Sequence, residues 1–280
     1  MIDLYSPKSI RAIADRFGFR NRKSLGQNFL TDRNVVLEMI ASAGITKYDT
    51  VIEIGPGIGA LTRELSASAG KVIALEIDRD LFPVLEFTLS GCENVEVVHA
   101  DVLKTDIGEF IRENGGAKVI GNLPYYITTP IIMRLLETRP APDNITIMMQ
   151  KEVAERILAE AGSTERGALS VAVQYHCETE EVIEVPRESF SPAPKVDSAV
   201  LKLTPRKESP VRTDDEELFF RCVRAGFGQR RKTLYNSLTG TGYSKEKIGA
   251  ALDSLGIERN RRAETLTMQE FADIANELGR

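Results

Sequence analysis

Hydrophobic positions in the first half of the chain fall into short runs, each closing on polar residues. Val51-Ile52-Glu53-Ile54 leads into Gly55-Pro56-Gly57-Ile58-Gly59, and Lys71-Val72-Ile73-Ala74-Leu75 ends in Glu76. Val95-Glu96-Val97-Val98 runs to His99-Ala100-Asp101, and Ala117-Lys118-Val119-Ile120-Gly121 ends in Asn122-Leu123-Pro124-Tyr125. Apolar runs of this length, bounded by turn residues, predict buried strands. Ile145 to Met149 repeats the pattern, and Glu181 to Val185 and Ser198 to Leu203 supply the last two strands. Between them the period lengthens to that of a helix. Leu81, Val84 and Leu85 share a face with Pro83 in the first turn, and Ile107, Phe110 and Ile111 share another. Further helices open near Thr128 or Thr129 and at Gln150-Lys151, whereas Leu169 to Tyr175 fits either period.

Ahead of these units, Ile10, Ile13, Ala14 and Phe17 predict a helix over Pro7 to Phe17. Thr31 or Asp32 caps the next, whose Val35, Val36, Met39 and Ile40 face inward and which stops near Gly44. Around Thr204-Pro205-Arg206-Lys207-Glu208-Ser209-Pro210 the texture changes to proline and charge, a linker composition. Only helical patterns follow: 214–227 opened by Thr213 or Asp214, 230–238, 245–255 capped by Ser244, and 267–278. Alternating strands and helices predict an α/β fold, a Rossmann-like doubly wound sheet over residues 1–207, with a small all-helical carboxyl-terminal domain over 208–280.

Charge refines this division. The net charge is −5. Residues 1–33 carry seven Lys/Arg against three acids, residues 34–205 fifteen against twenty-six, and residues 206–280 fourteen against twelve. Basic residues are thus enriched at the two ends, an arrangement compatible with RNA held by the ends and presented to the centre. Arg20, Arg22, Lys23, Lys195, Arg230, Arg231 and Lys232 are the candidate RNA contacts, while Lys245 and Lys247 read as an ordinary solvated face. Cys92, Cys177 and Cys222 are scattered, as in reduced cytosolic proteins. Two histidines without close ligand pairs leave no metal site to expect. The chain has no long apolar run and no basic-then-apolar start, so a cytoplasmic location away from membranes is expected.

The candidate chemistry lies at the strand ends. Glycines at 55, 57 and 59 let the backbone turn sharply and come close to a ligand. Glu76 ends the second strand, where an acid accepts both hydroxyls of a ribose. A nicotinamide oxidoreductase explains these two features and leaves Asp101 and Asn122-Leu123-Pro124-Tyr125 idle. The latter motif suits an exocyclic amino nitrogen, whose lone pair is delocalised into its ring. The Asn122 amide oxygen and the Leu123 carbonyl can accept its two N–H bonds, because Pro124 fixes the next backbone and offers no N–H. Tyr125 can stack on the base. Such a base must be flipped out of a helix or come from a loop, and a second aromatic wall is assigned to Phe190 in Ser189-Phe190-Ser191-Pro192-Ala193-Pro194-Lys195, its prolines holding the ring away from the core.

These motifs resemble those of S-adenosylmethionine-dependent methyltransferases acting on exocyclic amines. Nearly the whole chain is similar to the small-subunit rRNA adenine dimethyltransferases, the KsgA family, through Gln27-Asn28-Phe29-Leu30, the glycine strand, Asn122 to Tyr125, Gln150-Lys151-Glu152-Val153, Phe190 to Val200 and Phe227 to Leu238. The resemblance implies two methyl transfers to each of two adjacent adenosines near the 3′ end of the small-subunit rRNA, in an assembling 30S particle, by a monomer. It also implies that Gln27, Asn28, Leu30, Gly55, Gly57, Glu76, Asp101, Val102 and Asn122 bind S-adenosylmethionine, with Asp101 on its adenine. Three alternatives remain at this point, the nicotinamide oxidoreductase among them. The large-subunit rRNA methyltransferases of antibiotic resistance share the site but lack the extended basic carboxyl-terminal segment, and a non-catalytic ribosome assembly factor would leave the intact Asn122 and Tyr125 without a purpose.

Overall fold

A computed structural model describes residues 2–19, 28–229 and 231–280. The chain runs through α1 (Pro7–Phe17), β1 (Phe29–Leu30), α2 (Arg33–Ser42), β2 (Thr50–Ile54), α3 (Ala60–Ser68), β3 (Lys71–Glu76), α4 (Phe82–Thr88), β4 (Val95–His99), α5 (Ile107–Glu113), β5 (Lys118–Asn122) and α6 (Thr128–Glu137). It continues through β6 (Ile145–Gln150), α7 (Lys151–Leu158), α8 (Ala168–His176), β7 (Cys177–Val185), β8 (Phe190–Ser191) and β9 (Ser198–Pro205). The last helices are α9 (Glu216–Phe227), α10 (Leu234–Ser237), α11 (Lys245–Ser254) and α12 (Met268–Gly279). No helix among the described residues is long and apolar enough to cross a membrane.

Seven strands form one sheet in the order β4-β3-β2-β5-β6-β9-β7, parallel from β4 through β6, with β9 antiparallel to β6. Its central strands are buried on both faces, as their unbroken apolar runs require. The order reverses between β2 and β5, so the strand carrying the glycines lies beside the strand carrying Asn122. A crevice opens at such a switch point beyond the carboxyl ends of the strands. On one face Val51, Val72, Ile120, Met148 and Val200 pack against Val36, Met39, Leu61 and Leu65 of α2 and α3. Asp32 caps α2 by accepting from the Asn34 amide.

The chain divides into two compact units, Met1–Ala154 with Thr179–Pro205, and Glu155–Glu178 with Arg206–Arg280. The expected boundary at 207/208 falls two residues from the last crossing, between Pro205 and Arg206, but 155–178 group with the carboxyl-terminal helices. The reason is α8: Val171 and Tyr175 are buried in the core of the second unit with Phe219, Leu252 and Phe271. The ambiguous segment 169–175 is therefore helical. Two other expectations shift. The first carboxyl-terminal helix is capped by Asp215, which accepts from the Leu218 amide. Of the expected helix 230–238, the described residues are helical only from Leu234, after Thr233, and tighten into a 3-10 turn over Leu238–Thr241 before Gly242 at φ 88°.

Candidate active site

One cavity opens at the carboxyl ends of β2, β3 and β5. Its lining includes Asn28 and Leu30, Gly55 and Gly57, Glu76, Asp101 and Val102, and all of Asn122, Leu123, Pro124 and Tyr125. The glycine turn explains how backbone and ligand come close. Gly57 has φ 59°, and a Cβ there would sit 3.3 Å from the Phe29 ring. Gly59 has φ 85° and ends the turn as the residue before α3. Side chains are strained in that left-handed region.

Glu76 is 5% exposed, and its carboxylate accepts from the Asp78 amide at 2.8 Å and the Gly57 amide at 3.3 Å. Burial nonetheless raises its pKa above the usual carboxylate range. Glu53, on the adjacent strand, is 1% exposed and its Oε2 has no hydrogen-bond partner among the described residues. Burial, with the nearby Glu76 charge, pushes its carboxyl up to about 8. An orphaned buried acceptor in a cavity wall is costly unless it remains protonated or meets a donor from a ligand. Asp101 accepts from the Leu103 amide at 3.0 Å and pairs with Lys104 at 3.3 Å, which fixes it at the end of β4.

The Asn122 motif is held from several sides. Asn122 Nδ2 donates to the Asn28 carbonyl at 3.3 Å, which turns Oδ1 into the acceptor left for another group. The Leu123 amide donates to Met148 O at 3.0 Å. The Pro124 carbonyl accepts from the Ile127 amide at 3.2 Å and the Thr128 hydroxyl at 3.1 Å, closing a tight turn. The Tyr125 hydroxyl shares a 2.6 Å hydrogen bond with Ser198, and burial raises its pKa. The ring is thereby fixed as a wall.

Phe190 is the correction. It is 4% exposed in the core with Leu30, Val185 and Val200, and it does not line the cavity. Instead β8 pairs antiparallel with β1, Phe190 opposite Leu30 and Ser191 opposite Phe29, while the Thr31 amide donates to Ser189 O at 2.7 Å. The prolines leave the ring turned inward because an edge pairing, not the loop, sets its direction. Its place is to hold the segment from which Asn28 and Leu30 reach the cavity. Lys195 is exposed, as are Arg231 and Lys232 of the second unit. Arg20, Arg22, Lys23, Gln27 and Arg230 lie outside the described residues.

Among the lining residues that the sequence reading did not name as site residues are Glu53, Phe29, Ile77 and Tyr126. Ile77 and Tyr126 are large hydrophobics exposed by 48% and 55%. Each follows a recognised polar strand end by a few positions at most, and an apolar side chain beside such a residue was the available signal. Burial raises the Tyr126 pKa, as do the charges of Asp101 and Glu76. Together the cavity offers acids for hydroxyls at one end, and an amide acceptor with an aromatic wall at the other.

The chain matches the family model described as ribosomal RNA adenine dimethylase over residues 18–280. It is 50% identical to a ribosomal RNA small subunit methyltransferase A of Geobacillus thermodenitrificans, covering 99% of this chain and 97% of that one. The corresponding protein of Clostridioides difficile is 48% identical, with 98% and 96% covered. Among solved structures, a dimethyladenosine transferase from Plasmodium falciparum superposes with TM-score 0.75 at 29% identity, covering 88% of this chain and 95% of that one. The 23S rRNA methyltransferase ErmE superposes with TM-score 0.70 at 30% identity, covering 90% and 100%.

Proposed function

From the premise that this chain belongs to the ribosomal RNA adenine dimethylase family, we propose how its cavity carries out adenine dimethylation and on which RNA. The protein is an S-adenosylmethionine-dependent rRNA adenine N6-dimethyltransferase. Its substrate is two adjacent adenosines near the 3′ end of small-subunit rRNA in an assembling 30S particle, modified in the cytoplasm by a monomer. Half-identity along almost the whole chain to small-subunit enzymes outweighs the 30% identity to the 23S enzyme. The intact Asn122 motif argues for catalysis over a purely structural role in assembly.

The cavity fits the cofactor. Glu76, anchored by two backbone amides, accepts ribose hydroxyls; Asp101, with Val102 beside it, accepts from the adenine amino group; Gly55 and Gly57 allow close backbone approach. The unpartnered Glu53 Oε2 offers an acceptor to the amino group of the methionine part. When bound, the cofactor supplies a methyl carbon already activated by a positive sulfur. The chain's task is alignment, which contributes roughly 7–11 kcal/mol at best. Asn122 Oδ1 and the Leu123 carbonyl accept the two N–H bonds of the target adenine and favour a pyramidal nitrogen with its lone pair free. These two acceptors would hold the nitrogen toward the methyl group that the bound cofactor would supply, and the amino proton would leave to solvent. Tyr125, locked on Ser198, is the stacking wall. Lys195, Arg231, Lys232 and the basic residues at 20, 22, 23 and 230 hold RNA phosphates.

The observation that carries the reading is the Asn122 amide, with its nitrogen committed to Asn28 and its oxygen left as acceptor. The test incubates unmodified small and large ribosomal subunits with methyl-labelled cofactor and maps the modified nucleotides. Paired dimethyladenosines near the 3′ end of the small-subunit rRNA are expected. Label confined to the large subunit, or absent from both, overturns the assignment.

A further inference from the structure

Five large hydrophobic side chains stand exposed among the described residues: Leu37, Tyr48, Ile77, Tyr126 and Val196. Two of them, Ile77 and Tyr126, line the same cavity. Apolar side chains scattered singly over a surface are ordinary; two around one cavity mark a place where an apolar ligand face can be covered. The lining includes three aromatic rings, Phe29, Tyr125 and Tyr126. Two are committed within the protein. Phe29 is buried edge-on to Phe19, with ring centroids 6.1 Å apart, and Tyr125 is bound to Ser198. Tyr126 makes no hydrogen bond or ring contact among the described residues.

The backbone beneath this ring is held. Tyr126 lies in the 3-10 turn Tyr125–Ile127, which the Ile127 amide and the Thr128 hydroxyl close on the Pro124 carbonyl. Neighbouring side chains on such a turn project about 120° apart. With the Tyr125 ring drawn to Ser198 on β9, the Tyr126 ring takes another direction around the turn. Burial raises the pKa of its hydroxyl, and the charges that add to this are those of Asp101 and Glu76. These are the two acids read above as partners of the cofactor's adenine and ribose.

A ring rooted in a rigid turn loses little freedom when a ligand covers it, because a tyrosine has only two side-chain torsions to fix. A purine laid on it removes apolar surface of both from water. The purine can come from the cofactor or from the RNA. Tyr125 already serves the target base beside Asn122, and the acids nearest in charge to Tyr126 belong to the cofactor's nucleoside. We propose that Tyr126 stacks on the adenine ring of bound S-adenosylmethionine and sets how tightly the cofactor is retained. The proposal rests on the reading of the cavity as a site for that cofactor. The product left after transfer, S-adenosylhomocysteine, keeps the adenosine and loses only the methyl group and the positive charge on sulfur. A contact to adenine therefore holds both alike, whereas a ring facing the sulfur would favour the charged form.

Calorimetry on the full chain measures the binding of S-adenosylmethionine and S-adenosylhomocysteine to the parent, Tyr126→Phe and Tyr126→Ala. Tyr126→Phe keeps the ring face and is expected to bind both close to the parent affinity. Tyr126→Ala is expected to weaken both by the same factor, roughly 5- to 150-fold, the range found when a base loses an aromatic platform. The chain contains no tryptophan, so Tyr126→Trp carries a single indole at this position. Its emission is expected to change with adenosine or S-adenosylhomocysteine and to ignore methionine. Unchanged affinity in a folded Tyr126→Ala variant overturns the proposal. So does a loss confined to S-adenosylmethionine, which would turn the ring toward the sulfur. An indole that responds to small-subunit rRNA but not to adenosine overturns it as well, and would give the ring to the target base. Melting curves identify any unfolded variant, and the Tyr126→Trp emission decides if Tyr126→Ala does not fold. The parent is scored separately: failure to bind S-adenosylmethionine would defeat the enzymatic reading, while a binding parent matched by Tyr126→Ala defeats only the stack.

Discussion

Glu53 sits in the middle of the recognised glycine strand, yet its state is set by what the sequence does not show, the neighbouring Glu76 and the loss of water around both. Its folded value of about 8 lies above the ordinary 4.5. The protonated form therefore stabilises the fold; that contribution is complete below pH 4.5 and is lost as the pH rises through 8. Glu53→Gln, which mimics the neutral acid, should gain stability over the ligand-free parent progressively from about pH 5 to about pH 8, by on the order of several kcal/mol. Denaturant titrations of both proteins at each pH check this, and parallel curves would mean that Glu53 is ionised in the fold. Asn122 makes a second residue-scale prediction. Asn122→Ala should slow single-turnover methyl transfer roughly 10- to 100-fold, the worth of about 1.5–3 kcal/mol for a hydrogen bond to a group gaining charge. RNA affinity should change much less. Asn122, Tyr125, Glu76 and Asp101 were legible because each ends an apolar run. Tyr126 and Ile77 were marked only by standing next to Tyr125 and Glu76, since the string does not show that their side chains stay exposed.

At the scale of elements, almost every strand and helix follows from periodicity and caps, and the misses have a common origin in pairing across long separations. The two-residue pairing of β1 with β8 joins positions 29–30 to 190–191; no local pattern announces strands so short. That pairing turns Phe190 inward against the sequence expectation. Phe190→Ala should accordingly cost about 3–5 kcal/mol, as other buried phenylalanines do when truncated, and should weaken cofactor binding through the loosened Asn28 and Leu30. Chemical denaturation measures the first effect and calorimetry the second. A loss of stability below about 1 kcal/mol would return the ring to the cavity side. The helix α8 is the other case. Leu169 to Tyr175 is apolar throughout, so its period carries little information, and the second unit's core decides for helix.

For the whole molecule, the linker near Pro205 was visible in composition, but the earlier crossing at Ala154 and Glu155 was not, because α7 runs through it without a break. The second unit is consequently assembled from two stretches separated by Thr179–Pro205. A chain ending at Pro205 should thus fail to behave as an independent catalytic domain. Val171 and Tyr175 would be left without Phe219, Leu252 and Phe271, and the truncated protein should bind apolar dyes and aggregate where the full chain stays monodisperse. A soluble, cooperatively melting fragment would show that α8 is content without its partners.

The same discontinuity acts during synthesis. At about 5–20 residues per second, α8 leaves the ribosome several seconds before Phe271 is made. For that interval a nascent polypeptide carries a greasy helix with no native surface to cover it. Chaperone dependence should therefore peak in the window between the emergence of residues 168–176 and chain release, and codon changes that slow translation beyond Pro205 should lower the yield of folded protein more than equal delays upstream of Ala154.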